Sequence, residues 1–174
     1  MSPLVGIRIA VIVFVVAILQ VSVFSSVAVG GGGPDVLLVT LVSIGLLRGS
    51  VTGAVTGFLA GLIVDVATLG ALGLTSLLLT LAGYWVGRYG ETTGRDSSYA
   101  PLVATVAATI FVGIGGYGVQ AMLGEPVSAR AILDVFPAAL VWNVVLAYPV
   151  FGLVRRFVGP SERGDRAREV TILV

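Results

Sequence analysis

Val51-Thr52-Gly53-Ala54-Val55-Thr56-Gly57-Phe58-Leu59-Ala60-Gly61-Leu62-Ile63-Val64-Asp65 repeats glycine every fourth residue and ends on an aspartate at the next beat. That spacing keeps the small residues on one slowly winding face of a helix. Glycine inside a soluble helix costs about 1 kcal/mol relative to alanine, so three in register need a reason beyond local propensity. A membrane supplies one. Lipid tails are as apolar as leucine, so helices there associate by bringing backbones together, and a ladder of small residues makes the groove that permits it. Asp65 is the formal charge deepest within an apolar run, and an intramembrane carboxylate is expensive enough to mark a site.

The composition agrees with a membrane setting. Of 174 residues, 57% are hydrophobic and 11% charged, and the mean hydropathy of +1.08 is far from that of an ordinary globular domain. We expect an all-α polytopic membrane protein in a single domain, with no stretch left over for a soluble catalytic unit. Cysteine and histidine are absent, which removes disulfides, thiol chemistry, the usual transition-metal ligands and histidine proton relays. Every basic residue is arginine.

Working outward from the ladder, the apolar runs suggest spans at about 7–29, 34–48, 51–69, 72–88, 100–123 and 131–154, with 161–174 as a cytoplasmic tail. The first run is too long for the apolar core of a signal peptide and reads as an uncleaved helix. Gly30 to Gly33 forms a linker, and Pro34-Asp35 restarts a helix with proline in its first turn. From Pro34 to Leu47 that helix is only about 21 Å long, against about 30 Å of hydrocarbon. It must be shielded, lie where the bilayer thins, or fail to cross. Gly83 and Gly87 form another small pair, next to Tyr84 and Trp85. Gly113, Gly115, Gly116 and Gly118 predict a bend or loosening in the fifth run, and Pro137 and Pro149 predict interruptions in the sixth.

The arginines set the expected orientation. With six spans and both termini inside, Arg8, Arg48, Arg88, Arg95, Arg155, Arg156, Arg163, Arg166 and Arg168 fall on the cytoplasmic side and Arg130 alone falls outside. Removing the short second span would destroy this asymmetry. Asp65 then lies in the outer part of the bilayer at the level of Arg130. We expect it either to pair with Arg130 or to accept hydrogen bonds from the Gly70 to Gly73 turn, because an unpaired carboxylate there would be protonated.

No nucleophile and base, metal cluster or carboxylate pair suited to catalysis is apparent. We expect no enzyme activity, no cofactor, no metal and no nucleic-acid partner. Ser22, Ser43 and Ser76 read as helix serines bonded to the preceding turn. Asp35, Asp65 and Asp134 could converge on a cation, but Asp35 and Asp134 sit at helix starts, where acids favour the macrodipole in any case. Gly53, Gly57, Gly61, Asp65, Gly73, Gly83 and Gly87 are the candidates for helix packing or partner binding.

Arg48-Gly49, the ladder, Asp65, Leu72-Gly73, Leu81, Gly83-Tyr84 and Gly87-Arg88 together resemble the core signature of the MreD rod-shape-determining family. The resemblance covers about Pro34 to Arg88, and the flanking spans agree in layout. It implies a multi-pass protein of the bacterial inner membrane that serves as a non-catalytic scaffold of lateral cell-wall elongation. The implied partner is MreC, and through it MreB, RodA and a class B penicillin-binding protein; homodimerisation is left open. It also implies a bundle like the S-components of energy-coupling-factor transporters, so the alternative is a vitamin-type solute-binding transporter subunit. Against that alternative, Ala10, Ala17 and Ala28 on the first run lack the Ala-xxx-Ala docking spacing that resemblance to S-components would require.

Overall fold

The computed structural model describes residues 3–23, 33–69, 72–93, 98–124 and 129–159, and within α6 the side chains from residue 136 onward. Its elements are six helices, α1 (Pro3–Ser22), α2 (Val36–Arg48), α3 (Ser50–Thr68), α4 (Leu74–Thr93), α5 (Ala100–Met122) and α6 (Ala129–Val158), with no strand among the described residues. Among the described residues, four stretches are long and apolar enough to cross a membrane: Leu4–Ser22, Ser50–Thr68, Ala100–Met122 and Phe136–Val158. The Gly70–Ala71 part of the turn, Arg95, the Arg130 and Asp134 side chains and the 161–174 tail lie outside the described residues.

The thirteen-residue α2 is the centre of the bundle. Leu37 through Leu47 are all buried, and α2 packs against each of the other five helices. A helix that is apolar on every side is stable only when surrounded. This short apolar helix is thus shielded by protein on all sides.

A centre of this kind leaves helix ends away from water, where orphan N–H groups need protein partners. At the start of α2, Asp35 is the N-cap and its Oδ1 accepts from the Leu38 N–H at 2.9 Å. Gln20 Oε1 of α1 accepts from the N–H groups of Val36 at 3.0 Å and Leu37 at 3.4 Å. Asn143 Oδ1 of α6 accepts from the Asp35 N–H at 2.8 Å. Pro34 therefore precedes the cap instead of occupying the first turn as expected, and its carbonyl accepts from Gln20 Nε2 at 3.1 Å.

The ladder faces α4. A Cβ added at Gly53 would run into the Gly83 carbonyl, one at Gly57 into that of Leu79, and one at Gly61 into the Ser76 backbone. The register is antiparallel, and Gly83 and Gly87 meet Gly53 and the Gly49–Ser50 backbone in return. On α3 the small residues point inward while Val51, Val55, Phe58, Leu59, Leu62 and Val66 are exposed. Large apolar side chains outside and small ones inside suit a lipid surround.

Two expectations are corrected. α5 is one continuous helix to Met122, so its glycines do not interrupt it. Gly113 instead leaves room for the Phe136 ring and Gly115 for Leu78, while nothing lies near Gly118. α6 is likewise continuous for 30 residues with Pro137 and Pro149 inside it. Neighbouring groups can re-satisfy the backbone that proline frees in a membrane helix.

Gly57→Ala will lower stability in detergent by about 1–3 kcal/mol, because the opposing group is backbone and cannot rotate away. Gly118→Ala will be neutral or stabilising by up to about 1 kcal/mol. Paired thermal melts of the two variants check this, and equal effects would refute the close backbone contact of α3 with α4.

Candidate functional site

Four features carry the polar and concave surface of the bundle. The first is Asp65, only 2% exposed in the last turns of α3. Its Oδ2 accepts from the N–H groups of Gly73 at 2.8 Å and Ser76 at 3.2 Å, and its Oδ1 from that of Thr75 at 3.2 Å. The carboxylate thus satisfies the donors at the start of α4 and sits favourably at the positive end of its dipole. Gly73 has φ +94° and nothing within reach of an added Cβ, so it serves the turn and not the close packing. Ser76 reinforces the joint, its hydroxyl donating to the Phe58 carbonyl at 2.9 Å.

The second feature is the elbow at the opposite end. Gly49, with φ +91°, alone separates α2 from α3. Glu91 of α4 lies over it, accepting from the Ser50 N–H at 2.8 Å and from the Ser50 hydroxyl at 3.1 Å. These bonds hold the Glu91 carboxyl below its ordinary value of 4.5, the backbone bond contributing most and the Arg88 guanidinium, 3.7 Å away, adding a smaller part. α4 reaches this position because it continues a turn past the expected end at residue 88. Arg48 in turn donates to the Val158 carbonyl at the end of α6.

The third is a cavity of about 350 Å³ at the Asp35 end, between α2, α5 and α6. Gln20, Asp35, Thr109, Tyr117, Phe136 and Asn143 are among its walls. Asn143 is 1% exposed and also donates from Nδ2 to the Thr109 hydroxyl at 3.1 Å. The fourth is an uncharged apolar groove of about 600 Å³ between α1 and α3, with Gly6, Ala10 and Phe14 on one side and Val51, Val55 and Leu59 on the other.

The predicted residues thus fall in two places. Gly53, Gly57, Gly61, Gly83 and Gly87 lie along the α3–α4 contact, and Asp65 and Gly73 at the turn that closes it. Asp35 and Asp65 cap different helices, and no group of three metal-capable side chains occurs among the described residues. Sequence reasoning missed Gln20, Asn143 and Glu91. Asn143 is the only asparagine in the chain and lies within an apolar run, which was the available signal.

The model of the family described as "rod shape-determining protein MreD" matches residues 3–158. No curated protein and no solved structure matches the chain.

Asp65→Ala will cost about 1–3 kcal/mol in detergent melts, and Asp65→Asn less, since one acceptor oxygen remains. An unchanged melt for the alanine variant would remove Asp65 as the holder of the turn. Because the folded-state pKa of Glu91 is lowered, its contribution is complete above the unfolded value and is lost as pH falls through the folded one. Melting temperature will therefore drop below about pH 4.5, and Glu91→Gln will flatten part of that drop. A parallel pH series on both proteins reads it, and identical slopes would contradict the elbow assignment.

Proposed function

Because the chain belongs to the rod shape-determining protein MreD family, we propose that it is a non-catalytic inner-membrane scaffold of lateral cell-wall elongation that binds MreC through contacts between membrane helices. A role in rod shape determination comes with the family. In our reading MreC links this chain to MreB, RodA and a class B penicillin-binding protein. The bundle crosses six times, with both termini cytoplasmic, and shares its layout with transporter S-components but not their role.

The groove between α1 and α3 is the observation that supports a site for MreC. It extends along α3 from Val51 to Ile63, about 18 Å at 1.5 Å per residue. Nothing lies near an added Cβ at Gly6, and Ala10 follows one turn later on α1. A single incoming helix can therefore bring its backbone close, which is how helices gain packing energy in lipid. The walls offer no charge and little polarity to grip a small polar solute. The occupant that suits them is an apolar helix, and the single membrane helix of MreC is the one we assign.

Co-purification in mild detergent with MreC from the same genome tests the assignment. Val55→Trp and Gly6→Trp fill the groove and will reduce retained MreC by about tenfold, equivalent to about 1.4 kcal/mol. Leu77→Trp, on the exposed surface of α4 outside the groove, will retain it. All three variants are first required to melt like the parent. Full retention by both groove variants, or loss of a homodimer with MreC retained, would overturn the assignment.

A further inference from the structure

We propose that the cavity at the Asp35 end is a binding site for a small organic cation, an ammonium group carried on an apolar or aromatic body. At about 350 Å³ the cavity is large enough for a small molecule. Its polar lining is rich in acceptors: the Asp35 carboxylate, the amide groups of Gln20 and Asn143, and the hydroxyls of Thr109 and Tyr117. No arginine is among the described lining residues, and the whole chain contains no lysine or histidine. The described wall therefore favours a cation over phosphates and carboxylates.

The neutral acceptors are largely committed. Gln20 Oε1 and Asn143 Oδ1 hold backbone N–H groups at the start of α2, and Thr109 receives Asn143 Nδ2. Asp35 uses Oδ1 for the Leu38 N–H, whereas Oδ2 bonds to no described residue. The described residues place no cation beside it, and a carboxylate in an apolar surround is costly without one. An ammonium at Oδ2 would supply both the missing charge and the missing donors, and the low dielectric would strengthen the pair.

The rest of the cavity suits the body of such a ligand. Leu38 and Val112 give an apolar floor, and Tyr117 and Phe136 present aromatic rings that attract cations through their faces. Gly113 is part of this construction, since a Cβ there would displace the Phe136 ring from the wall. The site lies apart from the α1–α3 groove and does not depend on the MreC assignment.

The test uses the full chain in lipid nanodiscs with benzylammonium as probe, and benzyl alcohol as its neutral isostere, read by titration calorimetry at fixed ionic strength. Benzylammonium will bind saturably and benzyl alcohol at least about tenfold more weakly, as loss of a charge-assisted bond implies. Asp35→Asn will weaken benzylammonium by a similar factor while keeping the helix start, because asparagine caps as well as aspartate. Val112→Trp, which fills the cavity without altering Asp35, will abolish binding and so gives an independent variant. The proposal is overturned if the parent shows no saturable binding, if the alcohol binds as tightly as the ammonium, or if Val112→Trp leaves affinity unchanged.

Discussion

Contact between the peptide backbones of α3 and α4 is the constraint on which the rest of the bundle depends. Gly53 against Gly83, Gly57 against Leu79 and Gly61 against Ser76 leave no space for a methyl group. In lipid, where burying apolar surface gains little, this proximity is a principal source of helix association. It has consequences at both ends. At one, the turn must be tight enough for Asp65 to reach Gly73, Thr75 and Ser76; at the other, α4 must continue far enough for Glu91 to reach Ser50. The hairpin then presents one wall to α2, with Gly45 and Gly90 at that second contact.

Surrounding α2 with protein creates a second requirement. Its first N–H groups cannot turn to water, and Gln20, Asp35 and Asn143 from α1, the approach to α2, and α6 meet them. Gln20, Asp35, Asp65 and Asn143 thus serve to satisfy helix starts within the bundle. This explains why Asp65, which stands out in the sequence as an isolated intramembrane charge, serves as a cap. Asp35 differs because it caps its helix through one oxygen and also lines a cavity, and the proposed cation site rests on that difference.

The ladder could be read from sequence because its period coincides with the helix repeat, and the shortness of α2 could be read from length alone. The turn after Asp65 was one of two partners the residues suggested. What escaped depended on register and distance. Gly83 and Gly87 were visible as a pair, but matching them to Gly53 and the Gly49–Ser50 elbow requires knowing how the hairpin closes. Asn143 bonds to Asp35 across 108 positions, which no local pattern reveals. Glu91 was hidden because it stands beyond the expected end of its span. The glycines of α5 suggest a bend by propensity alone, whereas the space needed by Phe136 and Leu78 accounts for two of them.

Both proposed sites take their meaning from how the α3–α4 hairpin crosses the membrane, since that fixes whether the cavity opens outward and which side the elbow faces. The chain has no cysteine, so single cysteines can be placed in the functional protein at Leu72, in the exposed turn, and at Thr93, at the exposed end of α4. Labelling of intact cells with a membrane-impermeant maleimide is then the most direct measurement. The account predicts that Leu72→Cys reacts from outside and Thr93→Cys only after the membrane is opened. Reaction of both from the same side, or the reverse order, would contradict it.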